Sequence, residues 1–305
     1  MSEPKKILAP DGSELSSTVT AKPKRGQERE QENQEYVSVI VKRNDECFRH
    51  PDDILENAIS EGMEQLSRPL LSLGLSAVAA GMILCFTAMA VALMAKMHHE
   101  YQFEFPLNLG LALVYPLGFV LCILSRTTLF TEHTATSLYP VLDKKAPFSR
   151  LLKLWTVVTI GNLIGGIFAS LLLARADSII HAAKGYEIIA NHVLSYSTAD
   201  IFVSSVLAGW LMALGAWIVL STHSTFSQIT SIFIVTFLIG LAGLHHIIAG
   251  SVEMFTHYFV NQNMPFTSVL NFIWPTFLGN LLGGSVFVAV LNYGHIRQSQ
   301  IGSSD

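Results

Sequence analysis

Among the ionisable side chains that interrupt long apolar stretches of this 305-residue sequence are Arg126, Glu132, the adjacent pair His245 and His246, and Glu253. Holding a charge at the centre of a bilayer costs from about 3 to over 10 kcal/mol, so an ionisable group at that depth marks a functional position by default. Histidine, with an unperturbed pKa of about 6.5, is the side chain able to lend a proton near neutral pH. His246 is therefore a candidate proton donor inside the membrane. The competing reading is a neutral core histidine satisfied by neighbouring carbonyls. His245 projects about 100° away on near-helical backbone and takes a structural role. Arg126, Glu132 and Glu253 need partners or water. An ion pair of Arg126 with Glu253 is expected, the alternative being an Arg126 that attracts anions at a vestibule. No metal centre is read, because adjacent histidines diverge and no H-E-x-x-H spacing occurs. Cys47, Cys85 and Cys122 have no paired spacing, so neither a disulfide framework nor a zinc site follows, and no cofactor is implied.

These residues must be positioned by membrane-crossing elements. Hydrophobic residues make up 50% of the chain and charged residues 14%, with a mean hydropathy of +0.44, against about 25% charged in an ordinary soluble domain. The charge concentrates near the N-terminus, where residues 1–50 read as a solvated, largely disordered cytoplasmic tail. The net charge of −4 and a single basic cluster, Lys22 to Arg25, give no support to nucleic-acid binding. Residues 51–68 open with Pro51-Asp52-Asp53 and carry Ile54, Leu55, Ala58, Ile59, Met63 and Leu66 at helical spacing, which predicts an amphipathic interfacial helix. Simple spans of about 20 apolar residues follow at about 69–95, 154–174, 201–220 and 266–293. Residues 107–142 and 229–261 are too long for one span and too short for two. Each carries polar residues or glycines mid-way, Ser125-Arg126-Thr127-Thr128 in one and Gly240, Gly243, Gly250 and Ser251 in the other. Both read as half-helix, unwound turn, half-helix, which is tolerated at membrane depth only inside protein or beside a watery cavity.

Lys144, Lys145, Arg150 and Lys153 place the loop after the second segment in the cytoplasm, with both termini and the C-terminal tail 296–305 on the same side. GNLIGG at residues 161–166 recurs as GNLLGG at 279–284, each expected at the start of the helix after a broken segment. The predicted fold is thus an all-α membrane protein of six segments, an inverted repeat of three plus three (about 69–174 and 198–293) with the second and fifth helices broken. Such repeats hold their binding site at the interface near the midplane. Asn162 and Asn280, equivalent in the two copies, either cap backbone groups at the breaks or only pack.

The run LGFVLCILSRTTLFT (residues 117–131), GNLIGG, AGLHHIIAG (242–250) and GNLLGG, in this order and spacing, resemble the formate/nitrite transporter family. The resemblance covers about residues 50–295. It implies an aquaporin-like protomer, one pore for small monovalent anions and protons in each member of a homopentamer, and a bacterial inner-membrane location. It also implies that Thr131 sits at the first break facing His246 at the second, and that two apolar constrictions bracket the histidine. Tyr115 and Phe119, with Ile239 across from them, align with the cytoplasm-facing one. A vestibule lysine of the family aligns with Val193, at the start of the fourth segment, and His192 beside it is the candidate replacement. Two rival readings keep the architecture: an aquaporin-like pore for water or neutral solutes, disfavoured by the lack of paired Asn-Pro-Ala turns, and an occluded scaffold or sensor.

Overall fold

A computed structural model describes residues 51–261 and 264–302. The N-terminal tail, with Cys47 and the basic cluster, lies outside the described residues, as do residues 303–305. Among the described residues the regular structure is helical, and six stretches are long and apolar enough to cross a membrane: Leu70–Tyr101, Leu107–Leu124, Phe148–Ile180, Thr198–Leu220, Thr225–Ala242 and Phe266–Gln298. The chain is an integral, multi-pass membrane protein.

Helix α1 (Pro51–Ser67) carries Asp52 and Asp53 in its first turn, where the helix dipole favours acid. It buries Leu55, Ala58 and Ile59 against the helices above. The first span is α2 (Leu70–Ile83) and α3 (Cys85–Tyr101). The first broken segment is α4 (Leu107–Val114), α5 (Pro116–Leu124), an unwound stretch, α6 (Phe130–Thr136) and the short α7 (Tyr139–Leu142). The third span is α8 (Phe148–Ile180), followed by α9 (Ala183–Leu194). The second half contains α10 (Thr198–Leu220), the broken pair α11 (Thr225–Ala242) and α12 (Ile247–Val260), and α13 (Phe266–Gly284). The last continues through six π-helical residues, Ser285–Val290, into α14 (Leu291–Gly302).

We call the end that carries α1 and the Asp143–Lys145 turn basal, and the opposite end distal. Arg297 on α14 reaches Asp143 and Glu56, both at 2.8 Å, so α14, α1 and the turn meet at the basal end. The expected C-terminal tail from residue 296 is thus helical to Gly302 and pinned by this ion-pair cluster.

The two halves repeat in contact as well as in order. In α8, Gly161 and Gly165 lie against Ala77 and Val78 of α2, and in α13, Gly279 and Gly283 lie against Ser205 and Val206 of α10. A Cβ on Gly165 or Gly283 would overlap the carbonyl of Val78 or Val206, so these helices approach to backbone contact through small residues. The repeated hexapeptides do not open their helices. Residues 161–166 lie in the middle of α8 and residues 279–284 end α13, because each helix extends well before its motif. Outward faces carry Leu71, Leu75, Ile164, Phe168 and Trp274, all exposed in the protomer and suited to lipid or to neighbouring protomers.

Candidate functional site

Each break is built by one residue with positive φ and one buried asparagine. The helix α11 ends at Gly243 (φ 61°), whose N–H bonds the Gly240 carbonyl while Leu244 N–H bonds that of Ile239, a left-handed glycine cap. In the first repeat Arg126 occupies the same left-handed region (φ 57°), which a non-glycine residue adopts rarely. Downstream, Asn162 Oδ1 accepts the Phe130 N–H at 2.8 Å, and its Nδ2 donates to the carbonyls of Thr128 at 2.9 Å and Ala77 at 2.7 Å. Asn280 repeats this, accepting from Ile247 N–H at 2.8 Å and donating to His245 O at 3.0 Å and Ser205 O at 2.7 Å. Both asparagines are fully buried. Each ties a re-entrant half-helix to the two packed helices of its own repeat, and so satisfies polar backbone that has no water to turn to.

This arrangement brings the two breaks together. Thr131 Oγ1 lies 2.7 Å from His246 Nε2, and both residues are almost wholly buried. His246 is also the N-cap of α12: its Nδ1 accepts the backbone N–H groups of Ile248 and Ala249, each at 3.2 Å. An Nδ1 that accepts carries no proton, so the imidazole proton is on Nε2 and points at Thr131. The threonine oxygen accepts, leaving its own hydrogen to turn elsewhere. Phe119 stands edge-on to the imidazole at 5.0 Å between centroids and lies tilted by 30° against Tyr115 at 5.2 Å. His245 points away, bonding Ser204 Oγ through its N–H at 3.1 Å and its Nδ1 at 2.8 Å.

Two cavities flank the pair. The distal one, about 70 Å³, is lined by His246 and His245, Tyr115, Ile239, His192, Val193 and Glu253 among others. The basal one, about 10 Å³, is lined by Ile123, Glu132, Val219, Val235 and Thr236 among others. The second volume is about what one water needs. The two share no lining residue.

Several expectations change in place. Tyr115 and Ile239 belong to the distal cavity, not to the basal side that carries the Lys144–Lys145 turn, because α4 and α5 run from the distal end and reach His246 only at Phe119. The basal wall of Ile123, Val219 and Val235 went unread; Ile123, one turn past Phe119 on α5, is the position that periodicity offered. His192 and Val193 are on α9, a separate amphipathic helix, rather than at the start of the fourth span. Its buried positions Tyr186, Ile189, Ala190 and Val193 have helical spacing, but the helix lacks the length of a span, so apolar length alone does not mark it. Arg126 and Glu253 form no ion pair. Arg126 acts electrostatically on Glu132 instead, while Glu253 lies seven residues along α12 from His246, about 10 Å toward the distal end. Among the described residues no group of three or more His, Cys, Asp or Glu could hold a metal ion.

Comparison with known proteins agrees with this geometry. A family model described as "Formate/nitrite transporter" matches residues 52–294. The chain is 31% identical over 257 residues to the "Inner membrane protein YfdC" of Escherichia coli (strain K12), covering 80% of this chain and 78% of the relative. It is 22% identical over 246 residues to the "Formate channel BtFdhC" of Bacillus thuringiensis, covering 79% of this chain and 93% of that one. Among solved structures, an "FNT family ion channel" superposes with a TM-score of 0.69 at 17% identity, over 80% of this chain and 99% of that one. A "Pentameric formate channel with formate bound" gives 0.63 at 22% identity, over 75% and 98%. The fold of these channels is the fold described above, and with the family match over most of its length and a relative above 30% identity, this chain belongs to the formate/nitrite transporter family.

Proposed function

We propose that the chain carries small monovalent anions of weak acids, formate, nitrite or a similar species, through one pore in each protomer of a homopentamer. Membership of a transporter family rather than an enzyme family supports transport. The pentamer is inferred from the formate channel of like fold. Similarity to the inner membrane protein of Escherichia coli supports an inner-membrane location. The cluster of Lys144, Lys145, Arg150 and Lys153 supports a cytoplasmic basal end, because positive charge is retained on that side of the membrane.

The observation that carries the reading is the Thr131–His246 contact at 2.7 Å, which joins the two unwound turns beside the distal cavity. In the resting arrangement His246 donates Nε2–H to Thr131, and Thr131 offers its own hydrogen to an anion oxygen. Lending a proton requires a doubly protonated ring, and that proton must enter at Nδ1, where it displaces the two cap N–H groups. An anion in the cavity favours this charged state by Coulomb attraction, so His246 is loaded only when there is something to protonate. The acid then passes the Phe119 barrier uncharged.

Proteoliposome uptake of formate, nitrite, hydrosulfide, lactate and chloride between pH 5 and 8 tests this, with His246→Asn as the critical variant. Asparagine is a strong N-cap, so α12 keeps its start, but it is too short to reach Thr131. Assembly should be unchanged and the pH profile or ion preference altered. Superimposable profiles for the two proteins sink the proton-donor reading.

A further inference from the structure

Two carboxyl groups on the cavity walls have no part in the mechanism above. Glu132 follows Thr131 on α6 and lines the basal cavity. Glu253 lines the distal cavity and is 8% exposed. Both are described residues, and neither carboxyl group makes a hydrogen bond or ion pair with another described residue. The charged groups within electrostatic reach of Glu132 are Arg126 and the like-charged Glu61 of α1, with Cys122 of α5 beside them. Glu253 faces Tyr115, Tyr186 of α9, His192 and His245, and no lysine or arginine lines that cavity.

An unpaired carboxylate in such a place opposes an anion. Two like unit charges at about 6 Å in an effective dielectric of about 20 lower occupancy roughly a hundredfold. A pore that carried bare anions would be poorly served by one such group, and here each cavity has one.

Building on the transport reading, we propose that Glu132 and Glu253 form a charge filter, one on each side of the Thr131–His246 pair, which admits weak acids only together with a proton and turns away permanently ionised anions. The proton balance is simple. A glutamate takes a proton from the water of its cavity and becomes neutral, so an anion can approach. The carboxyl O–H bond breaks as the proton passes to Nδ1 of His246, the ring gives a proton to the anion, and the acid moves on uncharged while the ring returns to its neutral form. The carboxylate left behind repels the next anion until water protonates it again. Because His246 has its one proton committed to Thr131 and its other nitrogen committed to the cap of α12, Glu132 and Glu253 are better placed than the ring to accept a proton from bulk water.

The test uses the full chain in proteoliposomes, with uptake of formate and of nitrate, which stays ionised from pH 5 to 8. Wild-type protein should take up formate at least tenfold faster than nitrate. Glu132→Gln and Glu253→Gln keep size and hydrogen bonding but never ionise, and the double variant should raise nitrate uptake at least tenfold. With an internal pH dye, protons entering per formate should fall in the same variant. Wild-type nitrate uptake equal to that of formate overturns the filter and leaves the transport reading standing, and needs no variant that might fail to assemble. Nitrate exclusion and proton coupling unchanged in an assembled double variant also overturn the filter. Absence of formate uptake by intact oligomers of every variant overturns the transport reading and the filter with it.

Discussion

The asparagine clamps offer the most direct test of how the breaks are held. Replacing Asn280 with Ala removes one acceptor and two donors at once. Ser205 lies inside α10, whose own helical ladder still serves its carbonyl, so that loss is small. The Ile247 N–H and the His245 carbonyl are different, since both belong to the break and have no other partner described. Each buried orphan costs about 1–3 kcal/mol, so the variant should lose roughly 2–6 kcal/mol. Asn162→Ala should lose a similar amount, through the Phe130 N–H and the Thr128 carbonyl. Asn280→Asp sharpens the argument: it keeps the acceptor for Ile247 but sets a buried carboxylate oxygen against two carbonyls, and should be worse than alanine. SDS-titrated unfolding in mixed micelles, followed by loss of helical signal, measures all three. Alanine variants within about 1 kcal/mol of wild type, or an aspartate variant equal to it, would refute the claim that these side chains hold the breaks.

Phe119 is fully buried between Tyr115 and His246. Phe119→Ala should raise flux or relax size selection in liposome uptake while lowering stability by about 3–5 kcal/mol; unchanged transport of every anion places the barrier elsewhere. At the basal end, burial tends to raise the Asp143 carboxyl, but hydrogen bonds from Lys145, Arg297 and Tyr293 outweigh it and hold the group below its ordinary value. A lowered carboxyl contributes stability that is present above the unfolded value of about 3.9 and is lost as pH falls through the folded one. Hydrogen exchange of α1 should therefore accelerate in acid below about pH 4. Asp143→Asn should show weaker protection throughout and no acid step, a difference of about 1 kcal/mol for partners this near the surface.

Much of this architecture was legible in the residues themselves. Apolar length located the six spans, and the paired hexapeptides announced the repeat. Polar residues and glycines located the two breaks to within a few positions, because unwound backbone at membrane depth demands residues of those kinds. Asn162 and Asn280 stood out as equivalents, but nothing local to either distinguishes a cap from packing: their partners lie 32 to 85 residues away. The Thr131–His246 contact spans 115 residues and was reachable only through family resemblance. The pairing of Arg126 with Glu253 failed for a geometric reason. The two half-helices leave the centre in opposite directions, so charges downstream of one break move away from the other with each turn. Arg126 itself carries a second lesson, since its left-handed backbone is the counterpart of Gly243, and no side-chain type betrays that role.

The clamps also impose an order on assembly. Phe130 precedes Asn162 by 32 residues, and Ile247 precedes Asn280 by 33. When a re-entrant half-helix leaves the ribosome, the side chain that will satisfy its first N–H does not yet exist, and hydrocarbon offers no substitute. Each half-helix must therefore wait in water, at the interface or within the insertion machinery until the following span is made and docked. Insertion of each repeat is completed backwards: the third segment arrives before the second can settle.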